Sequence, residues 1–427
     1  MPIICLFHLL FVNLQLIIQN IVAMISYSHL INKVCMGLIL AFSIVSCSDK
    51  SESDPSITTP SDTPTKTWNP FNFSTVQQVN LHVDYSAVRT YGPVFFGIYI
   101  EEPFNKSDDG SDIQWREEKD PIYEDYTENN GKFDAIVELP AYAEHLYIAT
   151  DNYYTGMMLL ECDIRDGVAS VVAEIHSDMV VPETELEIEN KISSTSDVYA
   201  FEDKWPSKGD YDLNDVVIDA KHEKEYNEEG KIIREAFYLT TYQNYVELIS
   251  GLAVILNTKV QPMIITQKII LRESTETIGK SFKKEGDVYY LTDDIKQEVG
   301  STYILELTYN EGITSNQLAS IQPFIYRSEG KYNWEVHLPW HAPTVKMAVS
   351  YFGKDDDCSD PLKGVYYVRQ GDYPFALYLK GADIDAFKET ILKRENESIP
   401  IDQFFPSFLD WSSSGGTASK DWYLRFK

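Results

Sequence analysis

Basic residues are scarce in this sequence. The chain has 427 residues, with 36 lysines and arginines against 66 aspartates and glutamates, and a formal net charge of −30 at pH 7. Proteins that bind nucleic acid need a basic face that neutralises phosphates. The charge balance therefore argues against a nucleic-acid partner, whereas cations and uncharged glycans remain compatible with it.

Cysteine is sparse as well. Five are present, and only Cys162 and Cys358 lie beyond the N-terminal segment considered below. A disulfide between these two could form in an oxidising compartment, although nothing in their spacing favours it. We expect both to be small buried apolar residues. The histidines likewise lack the partners of a zinc site.

Common catalytic motifs are missing. The chain has no Gly-x-Ser-x-Gly nucleophile elbow, His-Glu-x-x-His zinc helix or phosphate-binding loop. A pair of carboxylates could serve a glycoside hydrolase, but chance pairs are expected among 66 acidic residues. We therefore expect that the protein is not an enzyme, and a carboxylate-based glycoside hydrolase is the weakest alternative.

The N-terminal segment has the features of a secretion signal. A short polar stretch with Lys33 follows Met24 and leads into the apolar residues 36–42, and a small residue directly precedes Cys47. This arrangement is typical of a lipoprotein cleavage site. We predict that residues 1–47 are a lipoprotein signal, with Met24 as a candidate translation start, and that Cys47 carries the lipid.

An uncleaved membrane anchor, built from the short apolar run or from residues 6–21, is the alternative. Residues 48–71 are rich in Ser, Thr, Pro and Asp, which predicts a flexible tether. Their acidic start resembles the surface-export signal of Bacteroidota lipoproteins, although Lys50-Ser51 interrupts it. We expect a protein held in the outer membrane by the lipid on Cys47 and displayed on the cell surface.

Short apolar strands separated by polar turns recur through the rest of the chain. Residues 79–85 and 133–139 alternate apolar and polar side chains, and the turn 129–132 contains Asn-Gly. This pattern is typical of antiparallel β-sandwiches. We predict an all-β protein with two antiparallel β-sandwich domains, the first at residues 72–180 and a larger second one at residues 197–427.

The second predicted domain contains small helical inserts. We expect a helix at residues 384–394, capped by Asp383, and a shorter helical turn within residues 401–411. A polar link, residues 181–196, joins the two domains. Residues 363–367 are among the strands that we predict in the second domain.

Residues 201–219 combine alternating oxygen-bearing side chains with an apolar run. Calcium needs about six to eight oxygen ligands, and an Asp-x-Asp-x-Asn loop supplies several within a short arc. The loop is not an EF-hand, because the positions for its glycine and final glutamate hold Asp215 and Lys221. We predict a calcium site formed by the following side chains: Asp203, Asp210, Asp212, Asn214 and Asp215.

Two other interpretations of this loop stay open. Lys204 and Lys208 could neutralise the carboxylates in an ion-pair network without metal, or Asx turns could simply lead the chain into a strand. A second acidic loop, Asp355-Asp356-Asp357, could hold a further ion. Five aromatic residues could form a sugar-stacking face or plug the core: Trp205, Tyr211, Trp340, Trp411 and Trp422.

The acidic stretch also carries a family resemblance. The LruC domain, found on secreted and lipid-anchored bacterial proteins, notably of Bacteroidota, opens with a signature similar to Phe201-Glu202-Asp203, Trp205-Pro206 and Gly209-Asp210-Tyr211-Asp212-Leu213-Asn214-Asp215. Further blocks match in order and spacing: Glu335-Val336-His337-Leu338-Pro339, Asp356-Asp357 with Tyr366-Tyr367, and Phe405-Pro406 with Gly415-Gly416. The chain departs from the family at Trp340-His341, where a glycine followed by an aromatic residue is usual. The family has no established biochemical activity.

These features support one main hypothesis and one alternative. We expect a surface lipoprotein whose second domain is a calcium-stabilised β-sandwich for adhesion or glycan binding, with a glycan or another surface protein as its partner. The alternative is a structural subunit of a fimbria-like or matrix assembly, joined by strand donation at exposed sheet edges.

Overall fold

The computed structural model describes residues 70–88, 92–106, 113–116, 120–152, 156–175, 191–242 and 248–424. All of them belong to one compact unit, Thr65–Lys427. The predicted signal 1–47, its Cys47 and the tether as far as residue 69 lie outside the described residues. Within the described part of the chain, no helix is long and apolar enough to cross a membrane.

The N-terminal half forms a sandwich of two small sheets around one shared core. In the first sheet, β1 (Val76–Asp84) pairs antiparallel with β6 (Lys132–Pro140) and parallel with β9 (Val168–Val172). Every second residue of β1 from Val79 to Val83 is buried, as expected for a strand with one face on a core. The second sheet has the strand order β5, β2, β7, β8, with the bounds Tyr123–Tyr126, Phe95–Tyr99, His145–Asn152 and Gly156–Asp163. A separate hairpin joins β3 (Phe104–Lys106) and β4 (Ile113–Trp115).

The C-terminal half is a larger antiparallel sandwich. Its seven-stranded sheet has the order β15, β14, β18, β12, β11, β10, β21, with the bounds Thr277–Gly279, Ile264–Ile270, Thr302–Ile313, Ile232–Tyr242, Val216–Tyr226, Ile192–Phe201 and Ala376–Leu379. Its five-stranded sheet has the order β16, β17, β13, β19, β20, with the bounds Lys283–Glu285, Val288–Thr292, Gly251–Asn257, Ser320–Glu329 and Tyr332–Val336. Apolar side chains of both sheets pack into one core, as Ile218 with Val254 and Ile325 illustrates.

The second sandwich contains short helices, and those of the C-terminal segment cover the outer face of the large sheet at its β10–β21 end. The α-helices are α1 (Ile295–Glu298), α2 (Ile384–Lys388) and α3 (Phe408–Ser413). The 3-10 helices are Ser315–Gln317, Val349–Tyr351, Pro361–Lys363, Arg394–Asn396, Ile401–Gln403 and Trp422–Leu424. Phe387, Phe408 and Trp422 from this segment are buried against Val198 and Leu377 of the sheet. The C-terminal segment therefore adds a third layer beside the acidic loop.

The all-β prediction is confirmed, and several element predictions are corrected. Residues 363–367 are not a strand, because Pro361 starts a 3-10 helix and the segment forms only an isolated bridge between Asp360 and Val365. The helix from Ile384 ends at Lys388 instead of Arg394, although Asp383 caps it as predicted by accepting from the main-chain N–H of Asp385. β10 begins at Ile192, inside the predicted polar link. Its first residues lack apolar alternation, and pairing with β11 makes them a strand.

The two sandwiches contact each other through a buried polar network. The ammonium of Lys224 donates to Glu124 O across 2.7 Å and lies 3.4 Å from Asp125 Oδ2. The rings of Tyr126 and Tyr226 lie beside this network, with centroids 5.0 Å apart. The predicted domain boundaries, 72–180 and 197–427, stay predictions. Cys162 and Cys358 are free thiols, and of the two only Cys358 is fully in the buried class that we expected.

Candidate cation site

The predicted calcium loop connects two paired strands. β10 ends at Phe201 and β11 begins at Val216, and these two residues are partners in the antiparallel ladder. The main-chain N–H of Glu202 donates to Phe375 O across 2.9 Å, which fixes the start of the loop against the neighbouring edge of the sheet. The two ends of loop 202–215 are therefore held side by side.

Three alternate residues of the loop have left-handed main-chain conformations. The φ angle is +55° at Gly209, +62° at Tyr211 and +53° at Leu213. This region costs a non-glycine residue of order 1–3 kcal/mol. Leu213 is held in it because its side chain is buried in the core and its N–H donates to Glu202 Oε1 across 2.8 Å.

The carboxylates of Glu202, Asp210 and Asp212 form one cluster, with an oxygen of each lying within 4.8 Å of the others. Glu202 is 0% exposed. Its Oε1 accepts the hydrogen bond from Leu213, whereas its Oε2 has no hydrogen-bond partner among the described residues. A Cβ at Gly209 would collide with this Oε2, so the main chain of the glycine lies directly against it.

A fourth carboxylate comes from the C-terminal layer. Asp212 Oδ2 accepts from the main-chain N–H of Ser398 across 3.0 Å, and Oδ1 accepts from the N–H of Asn214 across 3.3 Å. Glu397 precedes that serine, and its buried Oε2 also lacks a hydrogen-bond partner in the described structure. Burial, together with the nearby Asp212 and Asp210, raises the pKa of Glu397 to about 7.

The electrostatics of this cluster disfavour carboxylates without a counter-charge. Burial raises the pKa of Asp212 to about 6, with Asp210 adding to the shift. Burial and the neighbouring carboxylates raise the pKa of Glu202 well above its usual range. The lysine of the ion-pair interpretation, Lys204, is half exposed, and its Nζ lies 3.9 Å from Asp210 Oδ2. A hard cation held by these oxygens would stabilise the charged forms directly.

Asp203 and Asp215 form a separate group beside an arginine. The N–H of Asp203 donates to Asp215 Oδ2 across 2.7 Å. The guanidinium of Arg327 donates to the carbonyl oxygen of Asp203 and lies 3.6 Å from the ring centroid of Trp334. Burial is the main cause that raises the pKa of Asp215 to about 8, and the negative charge of Asp203 adds to the shift. Arg327 partly offsets the effect of burial on the pKa of Asp203.

The remaining predicted residues have local structural contacts. Asn214 Nδ2 donates to Ile391 O across 2.9 Å, which ties the loop to the C-terminal layer. Lys208 contacts the second acidic loop through its main-chain N–H, which donates to Asp356 Oδ2 across 2.9 Å. Ser207 Oγ donates to Asp355 Oδ2 across 3.2 Å. The second acidic loop therefore braces residues 205–208.

Asp357 of that second loop is a buried acceptor for protein donors. Its Oδ2 accepts from the N–H of Gly353 across 2.7 Å and from the N–H of Ser359 across 3.2 Å. Its Oδ1 accepts from Ser359 Oγ across 2.7 Å. With both oxygens engaged in this way, Asp357 has the contacts of a structural residue.

Reasoning from the sequence placed Glu202 beside the acidic loop without including it among the predicted ligands, and it missed Glu397, which lies near the cluster. Glu202 was visible within the signature, and a glutamate between an apolar strand and an Asp-rich loop was the signal that could have identified it. Glu397 had no such signal, because it lies far along the chain from Asp212 and reaches the loop only through the C-terminal layer.

Of the two interpretations of the five aromatic residues, a sugar-stacking face or core packing, core packing applies to three of them. Trp205, Trp411 and Trp422 are at most 1% exposed and plug the two cores of the second sandwich. Tyr211 stacks on Tyr373 with ring centroids 4.6 Å apart. Trp340 lines a surface cavity. Burying a large aromatic ring is more favourable than leaving it exposed. The position of these residues in the sequence did not show which rings are buried and which reach the surface.

Two family models match the chain, each over a different sandwich. One, described as a domain of unknown function (DUF4842), matches residues 230–423, and the other, a domain of unknown function (DUF8469), matches residues 77–173. The cation loop 202–215 lies between the matched segments. No curated protein matches the chain in sequence. Among solved structures, it is similar to a candidate lipoprotein from Bacteroides ovatus, with 15% identity, a TM-score of 0.45, and coverage of 78% of this chain and 98% of that one.

Proposed function

We propose that the protein is a lipid-anchored protein of the outer cell surface with an LruC-type C-terminal sandwich. Its loop 202–215 binds one calcium ion, and the ion stabilises the sandwich for adhesion or glycan binding. The observation that carries the calcium proposal is the fully buried Glu202, whose Oε2 has no hydrogen-bond partner among the described residues and lies with Asp210 and Asp212.

The physical argument concerns the cost of burying charge. A buried polar oxygen without a partner costs of order 1–3 kcal/mol, and more when it is charged. The carboxylates of Glu202, Asp210 and Asp212, with oxygens within 4.8 Å of one another, add like-charge repulsion. Calcium binds carboxylate and main-chain oxygens at flexible geometries and removes both penalties. In this proposal Glu202, Asp210, Asp212 and Glu397 supply the side-chain oxygens.

The role of such an ion is structural. The loop connects β10 to β11 near the β21 edge of the large sheet, and it contacts the C-terminal layer through Asp212 and Asn214. An ion here would join the strand connection to the segment around Ile391 and Ser398. Binding to the folded state alone stabilises it by roughly 2.7 kcal/mol when the ion is at a hundredfold excess over its dissociation constant.

Thermal unfolding in calcium and in EDTA tests this proposal. The melting temperature should rise with millimolar calcium and fall with EDTA, and Glu202→Gln or the double variant Asp210→Ala/Asp212→Ala should abolish the response. Asp360→Asn is a matched control, because it removes one carboxylate that pairs with Lys363 outside the cluster. It should keep the full response to calcium.

An identical melting curve in calcium and EDTA would leave the ion-pair interpretation with Lys204. Isothermal titration should give one ion per chain, since the structure gathers one such cluster in the described residues. A magnesium titration serves as the specificity control, because Mg²⁺ demands near-octahedral geometry and gives up its water reluctantly.

The surface role is tested by solution behaviour. The processed protein should be monomeric in size-exclusion chromatography and should be retained on immobilised neutral polysaccharide. Filaments or concentration-dependent ladders without retention would instead support a structural subunit assembled by strand donation.

A further inference from the structure

A large open cavity lies at the junction of the first described residues with the C-terminal layer. Its volume is about 930 Å³, within the range of small-molecule sites, roughly 300–1,000 Å³. Its polar side chains include Asn72, Gln370, Asp372 and Ser413, and its aromatic side chains are Phe71 and Trp340. None of the residues that line it is basic.

This lining selects for one class of ligand. Amide, hydroxyl and carboxylate groups exchange hydrogen bonds with sugar hydroxyls, and an aromatic ring packs against the apolar face of a sugar ring. Neither this cavity nor its neighbour described below is lined by lysine or arginine, and the one histidine, His341, lines the neighbour, so phosphate, sulfate and uronic acid groups would find no lysine or arginine counter-charge. An uncharged sugar therefore fits this cavity better than an anionic one.

Trp340 lines two neighbouring cavities. A second cavity of about 390 Å³ shares Asn72 and Trp340 with the first and runs on towards Tyr199 and Tyr378, whose rings stack 4.6 Å apart. We call these two neighbouring cavities, which share Asn72 and Trp340 as lining residues, the cleft. A cleft with this extension suits a chain of several units more than a single monosaccharide.

Trp340 is held in this place at a conformational cost. Its φ angle is +67°, a region that favours glycine. Such strain in a bulky residue persists only where the surroundings impose it and it often marks a functional site. The main-chain N–H of Trp340 donates to Tyr366 O across 2.9 Å, and the Trp340 side chain packs against Cys358 and Val365.

The other aromatic wall is fixed as well. Phe71 packs edge-on against the buried Trp411, with centroids 5.0 Å apart, and a Cβ at Gly416 would meet the Phe71 ring at 2.6 Å. The two aromatic walls are thus positioned before any ligand arrives, which lowers the entropy lost on binding.

We propose that the cleft around Trp340 is a binding site for a neutral oligosaccharide chain. The inference rests on the proposed glycan-binding function and gives it a location, with Trp340 as the stacking platform and Asn72, Gln370 and Asp372 as hydrogen-bond partners. None of the four carboxylates of the proposed calcium site lines this cleft, so each proposal can be tested with variants of its own residues.

Affinity gel electrophoresis with soluble neutral polysaccharides (mannan, galactomannan, xylan and starch) tests the site on the full processed protein. At least one of them should retard the native protein. Trp340→Ala should lower the affinity at least tenfold. Because that variant could also disturb folding, Gln370→Ala/Asp372→Ala on the open rim provides a second test and should weaken binding several-fold without changing the melting temperature.

Two comparisons decide the result. Tyr332→Ala removes an exposed aromatic ring on β20 that lines neither cavity, and it should bind like the native protein. Binding that is equal in the native protein and in both cleft variants would overturn this site while leaving glycan binding in place. Both the site and the glycan-binding function would be overturned if none of these polysaccharides retarded the native protein. They would also be overturned if the cleft instead bound an unfolded protein, such as unfolded casein, through Trp340.

Discussion

The indole N–H of Trp205 donates to Asp357 Oδ1 across 3.1 Å and so joins two acidic loops that are 152 residues apart in the chain. The carbonyl oxygen of Trp205 also accepts from the indole N–H of Trp334 across 2.6 Å. The cation loop is therefore anchored at its start by a buried tryptophan with both polar groups paired. The second acidic loop acts here as an acceptor for that anchor.

Asp357→Ala should destabilise the protein without changing its response to calcium. The substitution leaves the buried donors of Trp205, Gly353 and Ser359 without their acceptor, at a cost of order 1–3 kcal/mol. Denaturant unfolding measures this loss. Asp355→Asn, on the exposed side of the same loop, should change stability by no more than about 0.5 kcal/mol. Loss of the calcium-dependent stabilisation in Asp357→Ala would show that this loop also holds an ion.

The effect of calcium on stability should grow with pH. Burial raises the pKa of Asp212 to about 6 and that of Glu397 to about 7, above the ordinary carboxyl values near 4. At pH values between the ordinary carboxyl pKa and these raised pKa values, the folded state binds more protons than the unfolded state. The calcium-free protein therefore loses stability as the pH rises through this range. Calcium competes with those protons, so its stabilisation should be larger near pH 8 than near pH 5.

Melting temperatures of calcium-free and calcium-loaded protein at both pH values measure this difference. In Glu202→Gln the difference in melting temperature between the calcium-loaded and the calcium-free protein should be small at either pH. A stabilisation by calcium that is larger at the lower pH would contradict the assignment of these carboxylates.

Glycan binding should depend in part on the calcium loop through Tyr211. Its ring stacks on Tyr373 with centroids 4.6 Å apart, and the Arg369 guanidinium lies 4.6 Å from the centroid of the Tyr211 ring and donates to Tyr373 O across 3.4 Å. Gln370 and Asp372, on the rim of the cleft, lie within this segment. Tyr211→Ala should therefore weaken polysaccharide binding several-fold.

The same variant should still respond to calcium in thermal unfolding, since the Tyr211 side chain supplies none of the carboxylates. Tyr238→Ala, on the charged outer face of the large sheet beside Glu223, is the aromatic control for binding. Polysaccharide affinity that is unchanged in Tyr211→Ala and in EDTA would show that the rim is positioned independently of the loop.

Membrane attachment should depend on one thiol. In cells fed a labelled fatty acid, Cys47→Ala should abolish the labelling and leave an unprocessed or soluble protein, because the predicted signal makes this thiol the proposed site of lipid addition. Cys35→Ala should be labelled like the native protein. Persistent labelling of the Cys47 variant would contradict lipidation at this position.

Much of the architecture follows from local sequence patterns. Alternation with a period of two defines β1 and β6, and the apolar run after Asp215 defines the start of β11, since side chains of a strand point to opposite faces. Asp383 caps its helix because capping needs only a neighbouring main-chain N–H. The acidic loop could also be recognised, because its carboxylates are close together in the chain.

The tertiary structure decided which carboxylates belong together. Strand pairing and the C-terminal layer bring Glu397 to Asp212, while Arg327 from β19 lies at Asp203 and Asp215. Folding also placed Trp411 in the core and Trp340 at a surface cavity, a difference that the local sequence around the two residues did not predict. Local patterns report which face of an element is apolar, whereas burial, charge compensation and cavity shape depend on which distant segments pack against that face.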